Sequence, residues 1–323
     1  MPRKEVNARL PAVVEAVTKS VESVPGLAHL NRVFLPSRDA IVAAIDLLRQ
    51  ISFPGFHGAQ SLTTENIRYH VGQILVDLSD TLYEQVRYCL RYRKYLGAED
   101  FSQECELCDR ESARILSEFL DRIPAVRALL AGDVQAAFDA DPAAQNTDET
   151  VLCYPGLLAI TVQRYAHELY VRGVPMLPRI MTEWAHSQTG IDIHPGAKLG
   201  PRFFIDHGTG IVIGETCEIG ASVRIYQGVT LGGLSPDRLV EQFRGRKRHP
   251  TIEDDVTIYA GATILGGDTV IGKGSVIGGN VFVTTSVPPN NQVSMEAPNL
   301  KYRERRPRGT PKPSDPPLLD FQI

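Results

Sequence analysis

Aliphatic residues recur at six-residue intervals in the C-terminal half of the chain, and this period constrains the fold more than any other feature. Between about residues 191 and 287 the recurring positions are Ile193, Leu199, Ile205, Ile213, Ile219, Ile225, Leu231, Ile252, Ile258, Ile264, Ile271, Ile277 and Val283. Such a period matches neither an α-helix, with about 3.6 residues per turn, nor the alternation of a simple strand. It is typical of a β-helix with three short faces per coil, whose inward aliphatic side chains stack from coil to coil.

The repeat is interrupted in two places, and interruptions of a regular scaffold are where functional residues tend to lie. The step from Ile205 to Ile213 is eight residues instead of six, and His207 lies within it. Between Leu231 and Ile252 the pattern is absent and the segment is polar and basic. This second interruption predicts a loop that leaves the β-helix.

Residues 1–190 have helical spacing and predict an all-α domain. From Thr64 to Leu96 the apolar residues are three and four positions apart, which predicts a long amphipathic helix. We expect Pro124 to kink or divide a later helix, and Gly190 to end the last one. Residues 298–323 alternate proline with lysine and arginine, which predicts a flexible tail. The expected divisions are therefore 1–190, 191–297 and 298–323.

Composition argues against several classes of function. The formal net charge of −4 gives no reason to expect a nucleic-acid partner. We expect no membrane span and no secretory signal, because no apolar stretch suits either. Five scattered cysteines predict a cytoplasmic protein with reduced thiols and no disulfide framework. Cys105 and Cys108 form a lone CxxC motif, which we do not expect to bind zinc or act in redox chemistry because no second pair accompanies it.

Few residues in the repeat region could transfer protons: they are His194, His207, His249, Asp192, Asp206 and Glu215. A histidine near its ordinary pKa can accept and return a proton at neutral pH. Asp192 precedes His207 by fifteen residues, and a coil contains about eighteen. The two side chains are therefore expected to be neighbours on adjacent coils, where the carboxylate would orient the imidazole.

Four sequence strings, read together, resemble serine O-acetyltransferase: DIHPGAKLG (192–200), IDHGTGIVIGET (205–216), GVTLGG (228–233) and RHP (248–250). The resemblance covers the whole repeat region and extends more weakly through Asp141-Pro142-Ala143. It implies an α+β fold, with an all-α N-terminal domain, a left-handed parallel β-helix and a flexible C-terminal tail. It also implies transfer of an acetyl group from acetyl-CoA to L-serine, the first step of cysteine biosynthesis from serine.

The resemblance assigns roles position by position. His207 would be the base that takes the serine hydroxyl proton and returns it to the CoA thiolate, and Asp192 would orient it. Asp141 and Asp206 would hold the serine ammonium group. Arg248 and His249 would meet the serine carboxylate, a role that suits the planar guanidinium fork.

The co-substrate is expected to lie along the β-helix between neighbouring subunits. Small residues that would let CoA approach the backbone are Gly232, Gly233, Ala260 and Ala262. The CoA phosphates could be met either by Lys273 or by the loop residues Arg244, Arg246 and Lys247; a solvated run of surface charge is an equally good explanation of that loop. No metal is expected.

The family also implies partners. A homotrimer or a dimer of trimers is expected, with L-cysteine as a feedback inhibitor. The chain ends in Ile323, and in the family such a tail enters the active site of O-acetylserine sulfhydrylase. A free C-terminal carboxylate captured by a partner is a known mode of peptide recognition.

Three alternatives stay open at this point. The first is a hexapeptide acyltransferase with another acceptor, which would not need Asp141, Asp206 and Arg248 together. The second is a γ-class carbonic anhydrase with zinc held by three histidines, although His194, His207 and His249 lack the close pair typical of that class. The third is a non-catalytic regulator that acts through its tail.

Overall fold

The structure, a computed structural model, describes residues 2–98, 102–234, 245–296 and 302. The predicted tail, apart from Tyr302, lies outside these residues, as do Arg244 and Ile323. In the described part of the chain no helix has the length and apolar character needed to cross a membrane.

The N-terminal region is helical, as its sequence spacing predicts. Its helices are α1 (Pro2–Ser23), α2 (Arg38–Ser52), α3 (Ile67–Tyr95), α4 (Glu106–Ala140), α5 (Thr147–Cys153), α6 (Pro155–Val171) and α7 (Leu177–Thr189), with a 3₁₀ turn at Pro25–Leu27. The predicted long helix is confirmed as α3. Pro124 lies inside α4, which continues through it, so the expected division there does not occur. Gly190 ends α7 with a φ of 71°, a conformation that glycine adopts without strain.

The repeat region forms short parallel strands. They are β1 (Asp192–Ile193), β2 (Lys198–Leu199), β3 (Phe204–Ile205), β4 (Val212–Ile213), β5 (Glu218–Ile219), β6 (Arg224–Ile225), β7 (Thr230–Gly232), β8 (Thr251–Ile252), β9 (Thr257–Ile258), β10 (Thr263–Leu265), β11 (Val270–Ile271), β12 (Val276–Ile277), β13 (Phe282–Val283) and β14 (Gln292–Val293). Their hydrogen bonds define three sheets, ordered β1-β4-β7-β10-β13, β2-β5-β8-β11 and β3-β6-β9-β12-β14. The chain therefore visits three faces in turn, and the predicted parallel β-helix is confirmed in outline.

Strand register places the repeat residues above one another in the core. Ile205 pairs with Ile225, Ile225 with Ile258, and all three are buried. A one-residue slip would turn these side chains outward because neighbouring residues of a strand point to opposite faces. The hexapeptide period thus fixes both the coil and its register.

A buried ion pair joins the helical region to the first coil. The Arg164 guanidinium of α6 donates to both carboxylate oxygens of Asp133 in α4, at 2.7 and 2.8 Å. It also donates to the carbonyl oxygens of Leu199 and Gly200. Asp133 accepts in addition the backbone N–H of Phe203 at 2.9 Å. The helices therefore hold the chain just before β3, the strand that leads to His207.

One expectation about cysteine is wrong. We predicted reduced thiols, whereas the structure contains a disulfide between Cys105 and Cys108. Cys105 caps the N-terminus of α4 and Cys108 lies one turn further on, so helix geometry brings the two sulfurs together. The remaining cysteines are unbonded: Cys89 and Cys217 are buried and Cys153 is exposed.

Candidate active site

The eight-residue step between β3 and β4 forms an enlarged corner that presents His207. His207 adopts a φ of 55°, and Gly208 and Gly210 follow with φ values of 86° and 81°. Gly208 also has no room for a side chain, because a Cβ there would lie 2.5 Å from Cδ1 of Ile191. The His207 side chain is 69% exposed, so the interruption turns the imidazole outward from the β-helix.

One carboxylate lies beside this imidazole, and a second interacts with its charge. The Oδ1 atom of Asp206 is 3.6 Å from Nδ1 of His207. Asp141, which ends α4, accepts the N–H of Ala143 at 2.8 Å and the phenolic O–H of Tyr154. These hydrogen bonds, that of Tyr154 first, lower the pKa of Asp141, and nearby His207 lowers it further. Asp141 is consequently a carboxylate at neutral pH, and the corner is suited to binding a cation next to a base.

No hydrogen bond or ion pair joins Asp192 to His207 among the described residues. Asp192 lies on β1 opposite Val212 of β4, and its backbone N–H donates to the carbonyl of Ile211. Within the described residues its carboxylate forms no hydrogen bond or ion pair. The pKa of His194 is lowered, chiefly by burial, and the charge of Asp192 is one of the weaker influences that oppose this shift. The predicted orienting contact of Asp192 with His207 stays a prediction.

A second polar cluster lies at the next corner, between β4 and β5. Arg248, shortly before β8, pairs with Oε2 of Glu215, and the hydroxyl of Tyr170 in α6 donates to Oε1 of the same carboxylate at 2.7 Å. Burial, then the bond to Glu215, raises the pKa of Tyr170 to about 12. The phenol therefore stays a donor at neutral pH and holds Glu215 in position beside Arg248.

His249 is fixed in its neutral form at this second corner. Its Nδ1 atom accepts the backbone N–H of Thr216 at 3.1 Å, so the ring proton belongs on Nε2. Burial, followed by the charge of Arg248, lowers the pKa of His249 to about 4. Gly214 makes room for the ring, because a Cβ there would lie 2.0 Å from Cδ2 of His249. The second corner thus combines a cationic donor with a neutral imidazole N–H.

The two corners lie at opposite ends of one face of the β-helix. Strand β4 runs between them, with His207 before it and Glu215 after it. Arg248 pairs with Glu215 and His249 accepts from Thr216 at the second corner, whereas His207 lies beside Asp206 at the first. One chain therefore provides two polar corners, one before and one after β4.

Comparison with curated proteins decides the family. The chain is 47% identical over 263 residues to the plasmid serine acetyltransferase of Synechococcus elongatus, a match that covers 81% of this chain and 82% of that relative. The chain belongs to the serine acetyltransferase family. The serine acetyltransferase of Bacillus subtilis is 51% identical over 134 residues, which cover 42% of this chain and 58% of that relative. No family model matches the chain.

Solved structures agree with this assignment. Serine acetyltransferase 1 of Entamoeba histolytica, solved in complex with L-cysteine, has a TM-score of 0.67 at 35% identity, covering 81% of this chain and 88% of that one. The serine acetyltransferase of Neisseria gonorrhoeae, solved in complex with serine, has a TM-score of 0.51 at 28% identity, covering 84% and 99%. The predicted family resemblance is confirmed, and this family member is an acyltransferase.

The residues predicted to contact CoA are dispersed. Ala262 is fully buried, its N–H donates to Tyr259 and its carbonyl accepts from Thr230, so it has no group to offer a ligand. The Ala260 side chain is only partly buried. Lys273 lies on a third corner, between β11 and β12, with its ammonium 3.6 Å from Asp255. This corner lies on a different edge of the β-helix from the corners that carry the two polar clusters.

The glycines and the loop contribute differently. A Cβ on Gly232 would lie 2.8 Å from Leu265, and one on Gly233 would lie 3.3 Å from the carbonyl oxygen of Arg248, so both glycines permit close packing. Lys247 donates to the carbonyl of Thr216 at 2.8 Å, which ties the returning loop to the second corner. Arg246 is exposed. The described part of the chain holds no cluster of three or more potential metal ligands.

Sequence reasoning missed three residues that support the site. Tyr154, Tyr170 and Thr216 position Asp141, Glu215 and His249 respectively. Tyr154 and Tyr170 belong to the helical region, outside the repeat whose interruptions indicated where the site lies. Thr216 belongs to the string that carried the family resemblance, and that string was the one signal that could have identified it.

Proposed function

We propose that this chain transfers the acetyl group of acetyl-CoA to the hydroxyl of L-serine, releasing CoA and O-acetyl-L-serine. The observation that carries the proposal is the His207 corner, where carboxylates from the helical region and from the β-helix interact with the charge of an exposed imidazole. Family membership supports the same reaction. A left-handed β-helix and domains at 1–190 and 191–297 complete the proposed architecture.

The acid pair is suited to hold the serine ammonium group. Asp141 and Asp206 both lie near His207, and two carboxylates facing one cation satisfy several of its donors. Because Tyr154 and the N–H of Ala143 keep Asp141 ionised, the ammonium group meets a negative charge at neutral pH. In this proposal the serine hydroxyl lies next to the imidazole.

His207 performs the proton transfers in this proposal. Its Nδ1 atom faces Asp206, so we assign Nε2 to the substrate. The imidazole removes the hydroxyl proton as the serine oxygen attacks the thioester carbonyl, and a tetrahedral intermediate forms. When the C–S bond breaks, the imidazolium returns the proton to the CoA thiolate, so the base is regenerated. Asp192 would steady the imidazolium.

The carboxylate of serine requires the other corner. Arg248 and the Nε2–H of His249 are donors suited to a carboxylate, yet they lie beyond β4 from His207. We therefore propose that Arg248 and His249 of one subunit complete the site at His207 of the next. A homotrimer provides three such sites through one repeated interface, and a dimer of trimers would preserve them.

Acetyl-CoA is the proposed co-substrate, along the β-helix near Gly232, Gly233 and Ala260. Lys273 remains a candidate for a CoA phosphate only if a neighbouring subunit brings it to the groove. L-cysteine is the proposed inhibitor, since it differs from serine by one atom and the Entamoeba histolytica relative was solved with it. The proposal also includes a cytoplasmic location and binding of O-acetylserine sulfhydrylase through Ile323. Deletion of Ile323 tests this binding, which should be lost in the truncated protein.

The experiment that tests the reaction is release of CoA thiol from acetyl-CoA with L-serine, for the wild type and His207→Ala. L-homoserine, L-threonine and a sugar panel serve as competing acceptors. Serine-dependent release that falls by at least about a hundredfold in the variant is expected for loss of a general base. Release with another acceptor, or an unchanged rate in the variant, would contradict the proposal.

A further inference from the structure

The Cys105–Cys108 pair lies in surroundings that favour thiol chemistry. Cys105 is the N-cap of α4, and its Sγ accepts the backbone N–H of Cys108 at 3.2 Å. The N-terminus of a helix favours negative charge because its first N–H groups are unpaired and the helix dipole is positive there. A thiolate on Cys105 would therefore be stabilised by α4 itself.

A lysine from the preceding helix adds a second favourable contact. The Lys94 ammonium of α3 lies 3.2 Å from Sγ of Cys105. A positive charge at this distance stabilises a thiolate over a thiol and is typical of reactive cysteines. Two independent elements, α3 and α4, thus converge on one sulfur.

The other charges around this sulfur do not cancel these effects. Asp109, in the first turn of α4, is paired with the buried guanidinium of Arg91 at 2.9 Å. Glu106, also in the first turn, is exposed and paired with Arg110. Lys94 is therefore in direct contact with Sγ of Cys105, while Asp109 and Glu106 have partners of their own and Glu104 is exposed to solvent.

We propose that Cys105 and Cys108 form a reversible thiol–disulfide site that exchanges with external dithiols, with Cys105 as the reactive thiolate of the reduced form. In the oxidising direction the Cys105 thiolate attacks one sulfur of an oxidised dithiol, and a mixed disulfide forms. The Cys108 thiol then attacks Sγ of Cys105 and loses its proton, and the external dithiol leaves reduced. Two electrons pass from the protein to the external disulfide, and reduction follows the reverse path.

Access requires only a local opening. Both cysteines are buried, but Glu106 and Leu107 between them are exposed. Fraying of the first turn of α4 would expose the sulfurs without disturbing the core, since helix ends open at low free-energy cost. Asp141, at the other end of the 35-residue helix, is about 50 Å away at 1.5 Å per residue. The redox state of the pair can thus be measured independently of acetyl transfer.

The test uses the full-length protein equilibrated in buffers of reduced and oxidised dithiothreitol, quenched with acid, labelled with a thiol-specific alkylating agent and analysed by peptide mass spectrometry. We expect Cys105 and Cys108 to change state together across the buffer series, while buried Cys89 and exposed Cys153 remain thiols. A pair that is never bonded would overturn the proposal. A pair that is reduced only in denaturant would overturn it equally.

A second measurement tests the role of the lysine. In the reduced protein at pH 6.5, alkylation of Cys105 should be about three- to tenfold slower in Lys94→Gln, as expected for loss of a cation beside a thiolate. Lys198→Gln, which removes an exposed lysine paired with Glu218 on the β-helix, is the matched control and should leave the rate unchanged. Equal rates in the two variants would refute the assignment of Cys105 as the stabilised thiolate.

Discussion

The Arg164–Asp133 ion pair provides the sharpest test of how the helices hold the His207 corner. Replacing Arg164 with methionine keeps much of the side-chain volume but removes the partner of a carboxylate that is 0% exposed. Breaking a buried pair in this way costs about 3–5 kcal/mol, because a buried charge is left uncompensated. Asp133 would retain the N–H of Phe203 as a donor, which places the expected loss at the lower end of that range.

Burial raises the pKa of Asp133, and Arg164 opposes that shift. Without Arg164 the folded-state pKa rises further above that of the unfolded chain. A carboxyl with a raised folded pKa contributes most to stability when protonated and loses that contribution as pH rises through the folded pKa. The destabilisation of Arg164→Met should therefore be largest at neutral pH and shrink as pH falls.

The assay is urea unfolding at equal protein concentration, followed by circular dichroism at pH 7 and pH 5. A loss of about 3 kcal/mol corresponds to a midpoint lower by about 0.5–1 M urea, because the slope for a chain of this length is at or above about 3 kcal/mol per M. Arg122→Met is the matched control, since it removes an exposed arginine paired with Glu168 and should cost under about 1 kcal/mol. The double variant Arg164→Met/Asp133→Asn should recover part of the loss. Equal midpoints for the two single variants would refute the reasoning.

Two further predictions concern the site itself. Tyr154→Phe removes a donor that lowers the pKa of Asp141, so the pKa of Asp141 should rise. In initial-rate assays KM for serine should increase about three- to tenfold. As the pH is lowered, KM should begin to rise at a higher pH in the variant than in the wild type. An unshifted KM profile would contradict the role of Tyr154. Gly214→Ala would put a Cβ 2.0 Å from the His249 ring, so KM for serine should rise by more than about tenfold, whereas Gly72→Ala, with nothing within 4 Å, should leave it unchanged.

The parts of the structure that follow a local period could be predicted from sequence. Ile205, Ile225 and Ile258 were expected in the core because their spacing matched a coil, and they stack there. The enlarged corner at His207 was likewise expected from a two-residue excess in one repeat. Both are consequences of short-range geometry, which a single sequence expresses directly.

Contacts that depend on packing between distant segments could not be predicted. Tyr170 donates a hydrogen bond to Glu215, which is 45 residues further along the chain. No periodic pattern in the sequence predicts this contact. Ala262 illustrates the converse: its small side chain predicted a contact with CoA, while its inward position in the coil makes it a core residue. The Cys105–Cys108 disulfide was missed because the prediction about cysteine used the number and scatter of cysteines in the whole chain. The bond depends instead on the first turn of α4, which brings these two sulfurs together.

Mixed oligomers test the shared active site most directly. His207→Ala and Arg248→Ala chains with different affinity tags would be co-expressed in equal amounts, and oligomers that carry both tags would be assayed for serine-dependent release of CoA. Each variant alone should be nearly inactive. Every trimer that carries both tags should have about a third of the wild-type rate, because in each such trimer one interface of the three joins an intact His207 to an intact Arg248. Mixed oligomers no more active than the parent variants would contradict a site built from two subunits.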